Sequence, residues 1–179
     1  MKFRPFSVFF GCNYRDGLRV FILMNIFVLD REPERAAEYH CDKHVVKMVL
    51  ESAQLLATAH HVVKPSRRLP PIRATHQNHP CALWVRGSLA NYRWLARLAL
   101  ALSAEYTRRY GKVHRWEPYI HWLAAHEPPL PDAGLTPFAQ AMPESYRNKN
   151  AVKAYRDYYR GEKAYFAQWK TRPPRWWTS

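Results

Sequence analysis

The sequence predicts a mainly α-helical protein: a single domain of four to five helices built on two long antiparallel helices, with a short N-terminal strand. Two stretches carry this prediction, one from Pro33 to about Val63 and one from Pro80 to about Tyr110. Neither contains a proline beyond its first turn, and apolar residues recur in both at helical spacing. The chain has 179 residues, of which 47% are hydrophobic, so it is long enough to bury a core.

The N-terminal region divides at Met24. Residues 1–23 mix apolar and polar residues without a regular pattern, and we expect them to be an upstream, unstructured extension. Residues 24–179 then form the domain, and its apolar run Ile26–Leu29 is predicted to be the strand. No apolar run approaches the ~20 residues that cross a bilayer. The three separated cysteines fit a reducing compartment, so we expect a cytoplasmic protein without a membrane partner.

The helices are delimited by their caps. Asp30 precedes the first long helix, Asn78 or His79 precedes the second, and Gly111 ends the second. A shorter helix is expected over residues 116–125, and a basic, aromatic C-terminal helix over residues 151–170. The spacing of the apolar residues predicts the buried faces of the two long helices: Ala37, Cys41, Val45, Met48, Leu55 and Ala59 in the first, and Trp84, Leu95, Leu98 and Leu102 in the second.

The charge is strongly positive. The formal net charge is +14, and half of it falls within residues 147–175, where nine lysines and arginines face two acidic residues and are interleaved with tyrosine and tryptophan. Such a balance favours a polyanionic partner, and interleaved aromatic rings can stack on unstacked bases. The residues predicted to contact nucleic acid are Arg67, Arg68, Arg73, Arg108, Arg109, Arg147, Lys149, Lys153, Arg156, Tyr159, Arg160 and Lys163.

The first long helix carries a stripe of ionisable residues. His40, His44, Lys47 and Glu51 recur at helical spacing beside apolar neighbours, where burial displaces pKa values toward those useful in catalysis. Lys47 and Glu51 suit the roles of amine and acid–base partner, and the histidines can orient or protonate a substrate. Together with Asp42 these residues form the predicted catalytic set. The alternative is an ordinary surface salt bridge flanked by surface histidines.

A second group lies at the start of the second long helix. Ser88 and Asn91 are polar residues on a face that otherwise looks buried, and they would face the ionisable stripe if the two long helices packed antiparallel. The alternative is a pair of hydrogen bonds inside a helix interface. The predicted substrate-binding residues are Asn78, His79, Trp84, Arg86, Ser88, Asn91 and Tyr92.

A metal site is the alternative use of the histidines. His40 and His44 have the HxxxH spacing of two metal ligands, which Cys41, Asp42, His79 or Cys81 would have to complete. The glutamate of the zinc-protease motif is missing, and Pro80-Cys81 lacks the second cysteine of a deaminase. There is no glycine-rich phosphate loop and no GxSxG motif. We therefore expect no metal and no cofactor.

From Met24 onward the sequence resembles a family of small helical proteins associated with bacteriophages. The stretches that carry the resemblance are residues 24–30 (MNIFVLD), 40–48 (HCDKHVVKM), 51–56 (ESAQLL), 78–84 (NHPCALW), 91–95 (NYRWL), 105–114 (EYTRRYGKVH) and 141–143 (AMP). More remotely, the chain is similar to the pyrimidine-dimer DNA glycosylases of the phage endonuclease V type, which are also small, basic and helical.

The remote resemblance implies a catalytic glutamate on an early helix, a role for which Glu51 is the candidate here. It also implies an N-terminal α-amine nucleophile on a small residue, and Asn25 departs from that pattern. Lys47 or Lys43 would then supply the amine, or water would attack with Glu51 or Asp42 as the base.

The leading functional prediction is a DNA glycosylase, with or without lyase activity, that removes a modified or damaged base. Its partner would be double-stranded DNA with a flipped base, or single-stranded DNA. One alternative is a non-catalytic DNA- or RNA-binding accessory protein. Another is a nucleotide-metabolism or metal-dependent enzyme that uses His40 and His44.

Overall fold

The computed structural model describes residues 26–63 and 69–177. In this part of the chain the regular structure is helical: α1 (Pro33–Tyr39), α2 (Asp42–Val63), α3 (Pro80–Val85), α4 (Leu89–Tyr110), α5 (Glu117–Ala125) and α6 (Ala151–Glu162), with 3-10 turns at Glu144–Tyr146 and Arg175–Trp177. The mainly α class is confirmed. None of the helices in the described ranges is long and apolar enough to cross a membrane.

The two longest helices, α2 and α4, pack antiparallel, as predicted. His60 near the end of α2 contacts Tyr92 near the start of α4, while Asp42 at the start of α2 pairs with Arg109 near the end of α4. All ten residues that the spacing predicts to be buried are buried, seven of them in α2 and α4 and the others in α1 (Ala37), just before α2 (Cys41) and in α3 (Trp84). Each fully buried leucine among them contributes about 2 kcal/mol of hydrophobic stabilisation. The antiparallel pair therefore forms the centre of the core, against which the shorter helices pack.

The prediction of one continuous helix from Pro33 to Val63 is wrong, because the chain breaks between α1 and α2. His40 has an extended backbone conformation (φ −64°, ψ 136°). The backbone groups that a continuous helix would pair internally have tertiary partners instead. The Arg109 guanidinium donates to the carbonyls of Glu38 and His40, and the Cys41 N–H donates to the Tyr159 hydroxyl. The break is thus stabilised by residues distant in sequence.

The second long helix is also interrupted, between α3 and α4. Ser88 has an extended conformation and caps α4, where its Oγ accepts a hydrogen bond from the Asn91 N–H at 3.1 Å. The favourable capping chemistry of serine after Gly87 explains the interruption. The predicted end of this helix is confirmed, since Gly111 adopts the left-handed conformation (φ 67°).

The ends of the domain differ in detail from the predictions. The apolar run Ile26–Leu29 is buried, but the described residues there form no β-ladder, and Met24, Asn25 and the predicted extension over residues 1–23 lie outside the described part. The C-terminal helix ends at Glu162 rather than near Lys170. The segment after α6 packs back on α1, where the Trp169 indole N–H donates to the Tyr39 carbonyl at 3.1 Å.

Candidate active site

The break between α1 and α2 turns two histidines inward. His40 and His44 are both buried, and their ring centroids lie 6.3 Å apart. Phe27 from the N-terminal segment stacks on His44 with ring centroids 4.5 Å apart. Phe166, which follows α6, contacts the same imidazole edge-on at 5.2 Å. Residues from both ends of the chain thus enclose the start of α2.

His40 is a neutral imidazole in this setting. Its Nδ1 lies 2.7 Å from the Ala36 carbonyl, which can only accept, so Nδ1 carries the proton. Its Nε2 is buried without a hydrogen-bond partner among the described residues. Burial lowers the pKa of His40 to about 4, because the charged form would have to be desolvated.

His44 is held by a tyrosine from α6. The Tyr159 hydroxyl lies 2.6 Å from His44 Nδ1 and accepts the Cys41 N–H at 3.1 Å. Burial keeps the pKa of Tyr159 well above its usual value, so the hydroxyl retains its proton, and it donates to Cys41 Sγ at 3.4 Å. Burial is the main factor that keeps the pKa of His44 well below its usual value, followed by the electrostatic effects of His40, Lys163 and Lys47. His44 is therefore neutral.

A buried arginine, Arg109, stabilises the start of α2. The Arg109 side chain has no exposed surface and pairs with Glu105 and, at 2.9 Å, with Asp42. Although burial opposes ionisation of Glu105, hydrogen bonds from Arg108 and Arg109 leave its pKa lowered. Asp42 is thereby engaged in an ion pair that positions the start of α2. Because its partner is a buried arginine, whereas Glu51 pairs with an exposed lysine, Asp42 is less suited than Glu51 to act as a base.

Lys47 and Glu51 extend the site along α2. Lys47 Nζ lies 2.9 Å from Glu51 Oε1, and the Lys47 side chain is 54% exposed whereas that of Glu51 is 9% exposed. The Glu51 carboxylate also acts electrostatically on Cys81 in α3, where burial and then this carboxylate help to raise the pKa of the thiol to about 12. The structure therefore brings His40, His44, Lys47 and Glu51 onto one side of α2, with the carboxylate shielded and the amine reaching solvent.

The residues predicted to bind substrate occupy a different place. Ser88 and Asn91 lie where α4 begins, at the opposite end of the antiparallel pair from His40. The Asn91 amide donates to the Trp84 carbonyl and to Thr136 Oγ1, both at 2.7 Å, and Ser88 Oγ donates to Gly134. These two side chains fasten the segment around residue 136 to the helices, so they do not face the stripe.

The other residues predicted to bind substrate differ in their exposure to solvent. Trp84 and Tyr92 are buried in the core, and the Tyr92 hydroxyl donates to the Leu123 carbonyl. His79 is buried and accepts the Cys81 N–H, whereas Asn78 is exposed. Arg86 is half-buried and donates to the Gln77 carbonyl. Asn78, His79 and Arg86 thus lie around the start of α3, the helix that carries Cys81.

The residues predicted to contact nucleic acid also differ in their exposure, and some of them are used within the fold. Arg67 and Arg68 lie outside the described residues. Arg109 and Tyr159 are buried and hydrogen-bonded within the protein, so both stabilise the fold rather than present a surface to DNA. Internal contacts also use Arg156, which donates to the Leu29 carbonyl, and Arg160, which donates to the Trp176 carbonyl. The exposed members are Arg73, Arg108, Arg147, Lys149 and Lys153.

The pattern of the sequence missed the aromatic partners of the stripe. The spacing does not indicate that Phe27 and Phe166 contact His44, and it predicts that Tyr159 contacts nucleic acid. Tyr159 is separated from His44 by 115 positions, and no local spacing indicates such a contact. Within residues 26–63 and 69–177, no group of three or more histidine, cysteine or acidic side chains is placed to hold a metal ion.

Comparisons with known proteins identify a family for most of the helical core. A family model described as "Pyrimidine dimer DNA glycosylase" matches residues 24–118, which is more than half of the chain. The matched range contains α1 to α4 and the whole stripe, whereas α6 lies beyond it. No curated protein and no solved structure matches the chain.

Proposed function

The chain belongs to the pyrimidine dimer DNA glycosylase family, and we propose that it is a DNA glycosylase that removes a modified or damaged base. The observation that carries the proposal is the placement of Glu51 within the family-matched range. Its carboxylate is shielded from solvent and held 2.9 Å from an amine that reaches the surface. A shielded carboxylate beside a cation is suited to acid–base work on a bound substrate.

Glycosidic cleavage places specific demands on such a site. As the bond between the sugar C1′ and the base breaks, positive charge develops on the sugar, and a nearby carboxylate stabilises it electrostatically. We assign this role to Glu51, which can also take a proton from an attacking water. The neutral histidines His40 and His44 add no buried charge to the stripe that carries this carboxylate.

The substrate must reach this carboxylate from outside the stack of bases. Enzymes that act on a base turn it out of the helix into a pocket, and phosphate contacts from lysine and arginine hold the backbone. Lys47 in the stripe and Lys43 beside it are both exposed, and the net charge of +14 favours a polyanion. The proposed substrate is therefore DNA, either duplex with a flipped base or single-stranded.

A direct test is to incubate the purified protein with DNA that carries diverse modified and ultraviolet-damaged bases, and to identify what is released by mass spectrometry. We expect at least one modified base to be freed, or its glycosidic bond cut where the base remains tethered in a dimer. DNA without lesions should stay intact. Binding of every substrate without any cleavage would instead indicate a non-catalytic DNA-binding protein.

A further inference from the structure

Tyr165 differs from the other aromatic residues in its exposure. It is 87% exposed, and within residues 26–63 and 69–177 it is the one tyrosine, tryptophan or phenylalanine that is exposed. The other large hydrophobic residues that are exposed in these ranges are aliphatic: Val46, Val62, Val63, Leu83, Val113 and Leu135. Single exposed aliphatic residues are ordinary on protein surfaces, whereas aromatic rings dominate the energetics of cores and interfaces. A ring left in solvent is therefore a candidate for contact with a partner.

The turn that carries Tyr165 is anchored to the start of α2. The N–H groups of Phe166 and of the residue after it both donate to the Lys163 carbonyl, at 3.1 and 3.0 Å. The Gln168 carbonyl then accepts the Asp42 N–H at 2.8 Å. These hydrogen bonds hold the backbone on both sides of Tyr165, so the exposed ring has a defined position relative to α2.

Tyr165 lies next to the aromatic residues that enclose His44. Its ring packs edge-on against Phe166 with ring centroids 4.9 Å apart, and Phe166 contacts the His44 imidazole edge-on at 5.2 Å. Glu51 follows His44 by seven residues on α2, which corresponds to about 10 Å along the helix axis. The ring and the Glu51 carboxylate are therefore close enough to contact DNA around one lesion.

The surroundings of this ring are positively charged. Residues 163–177 contain four lysines and arginines and no acidic residue. Glu162, which precedes them, accepts a hydrogen bond from the Tyr146 hydroxyl at 3.1 Å. Lys43 on α2 places its Nζ 5.3 Å from the centroid of the neighbouring Phe166 ring. Cations beside an exposed ring suit a polyanion whose phosphates bind the cations and whose bases stack on the ring.

We propose that Tyr165 is the stacking residue of this site, and that its ring inserts into the DNA base stack and fills the space that a displaced base leaves. The inference rests on the proposed function, because this space arises when the damaged base is turned out toward Glu51. Unstacking a base costs free energy, and the inserted ring offsets part of that cost by stacking on the neighbouring bases. Tyr165 thereby stabilises the DNA in the conformation in which the lesion is displaced.

The test uses a duplex in which one nucleotide is replaced by tetrahydrofuran, a stable abasic analogue, so that base removal by the protein is not required. The base beside the analogue is 5-iodouracil, which under ultraviolet light forms a covalent cross-link with an aromatic side chain stacked on it. We expect a protein–DNA cross-link that peptide mass spectrometry locates on Tyr165.

Affinities for the abasic duplex and for an intact duplex of the same sequence, measured by fluorescence anisotropy, give a second readout. We expect the unmodified protein to prefer the abasic duplex. Tyr165→Ala should lower the affinity for the abasic duplex by about fivefold or more, as for loss of one stacked aromatic ring. Its affinity for the intact duplex should change by less than about twofold, because phosphate contacts dominate there. Tyr165→Phe keeps the ring and should retain the preference.

The matched control is Leu135→Ala. Leu135 is also an exposed apolar residue, at 49%, but it lies in the segment that Ser88 and Asn91 fasten at the other end of the antiparallel pair. This variant should bind both duplexes as the unmodified protein does. The exposure of Tyr165 means that its substitution removes no core packing.

Three results would overturn the inference. The first is a cross-link on another residue, or none at all. The second is equal affinity of the unmodified protein for the two duplexes, and the third is an unchanged preference for the abasic duplex in Tyr165→Ala.

Failure of the inference can be separated from failure of the proposed function. Release of a base without a cross-link on Tyr165 would retain the glycosylase and overturn the role of this ring. A cross-link on Tyr165 and a preference that depends on it, with no base released from any damaged DNA, would support the stacking role and overturn the glycosylase.

Discussion

Burial sets the chemistry of the individual histidines in this site. His40 and His44 are both neutral at physiological pH, because desolvation lowers their pKa values. They are therefore suited to accept hydrogen bonds and to shape the pocket rather than to carry positive charge toward DNA. At the residue scale, the cationic group of the stripe is Lys47, and the anionic group is Glu51.

The buried His40 predicts a specific dependence of stability on pH. The pKa of His40 is about 4 in the folded protein and about 6.5 when unfolded, so below pH 6.5 the unfolded state binds a proton that the folded state does not. His40 alone should lower the free energy of unfolding by about 2 kcal/mol as the pH falls from 6.5 to 5, with further loss until the pH reaches its folded pKa. Chemical denaturation across this range measures the slope.

The variant His40→Gln should flatten that slope, whereas His121→Gln should leave it unchanged because His121 is 64% exposed. Equal slopes in the unmodified protein and in His40→Gln would contradict the assignment of His40 as a buried neutral imidazole.

At the scale of elements, Arg109 determines where α1 ends and α2 begins. Its guanidinium joins α4 to the carbonyls of Glu38 and His40 and to the Asp42 carboxylate. The sequence indicated helix throughout this stretch, because it contains no glycine and no proline after the first turn. The break depends on partners more than sixty positions away, which local spacing cannot reveal. By contrast, Gly87-Ser88 is a local signal that could have indicated the second break.

Removal of this guanidinium should be costly. Arg109→Met leaves Glu105 and Asp42 without their buried partner, and we expect a loss of about 3–5 kcal/mol in the free energy of unfolding. Urea denaturation measures the loss. Arg108→Met is the matched control, because Arg108 binds the same Glu105 but its side chain is 55% exposed; its expected loss is below about 1 kcal/mol. Similar losses in the two variants would contradict the structural role of Arg109.

At the scale of the whole molecule, the sequence indicated the helical class, the antiparallel pair, its buried faces and the family. The stripe on α2 was also recognisable from spacing. The aromatic residues that enclose it could not be recognised from spacing. Phe27, Tyr159 and Phe166 come from opposite ends of the chain and contact His44 only in the folded protein. The basic C-terminal region likewise has two roles that composition cannot separate, since Arg156 and Arg160 serve the fold while Arg147 and Lys149 stay exposed.

The central claim is that the α2 stripe is the active site of a DNA glycosylase, and the variant Glu51→Gln tests it most directly. The measurement is the single-turnover rate of glycosidic cleavage on the best damaged substrate, together with the affinity for that DNA. We expect the rate to fall by about a hundredfold or more, as for loss of an acid–base group, while DNA affinity is retained. Glu144→Gln, at an exposed position away from α2, should match the unmodified protein. A Glu51→Gln variant that cleaves at the unmodified rate would contradict the account.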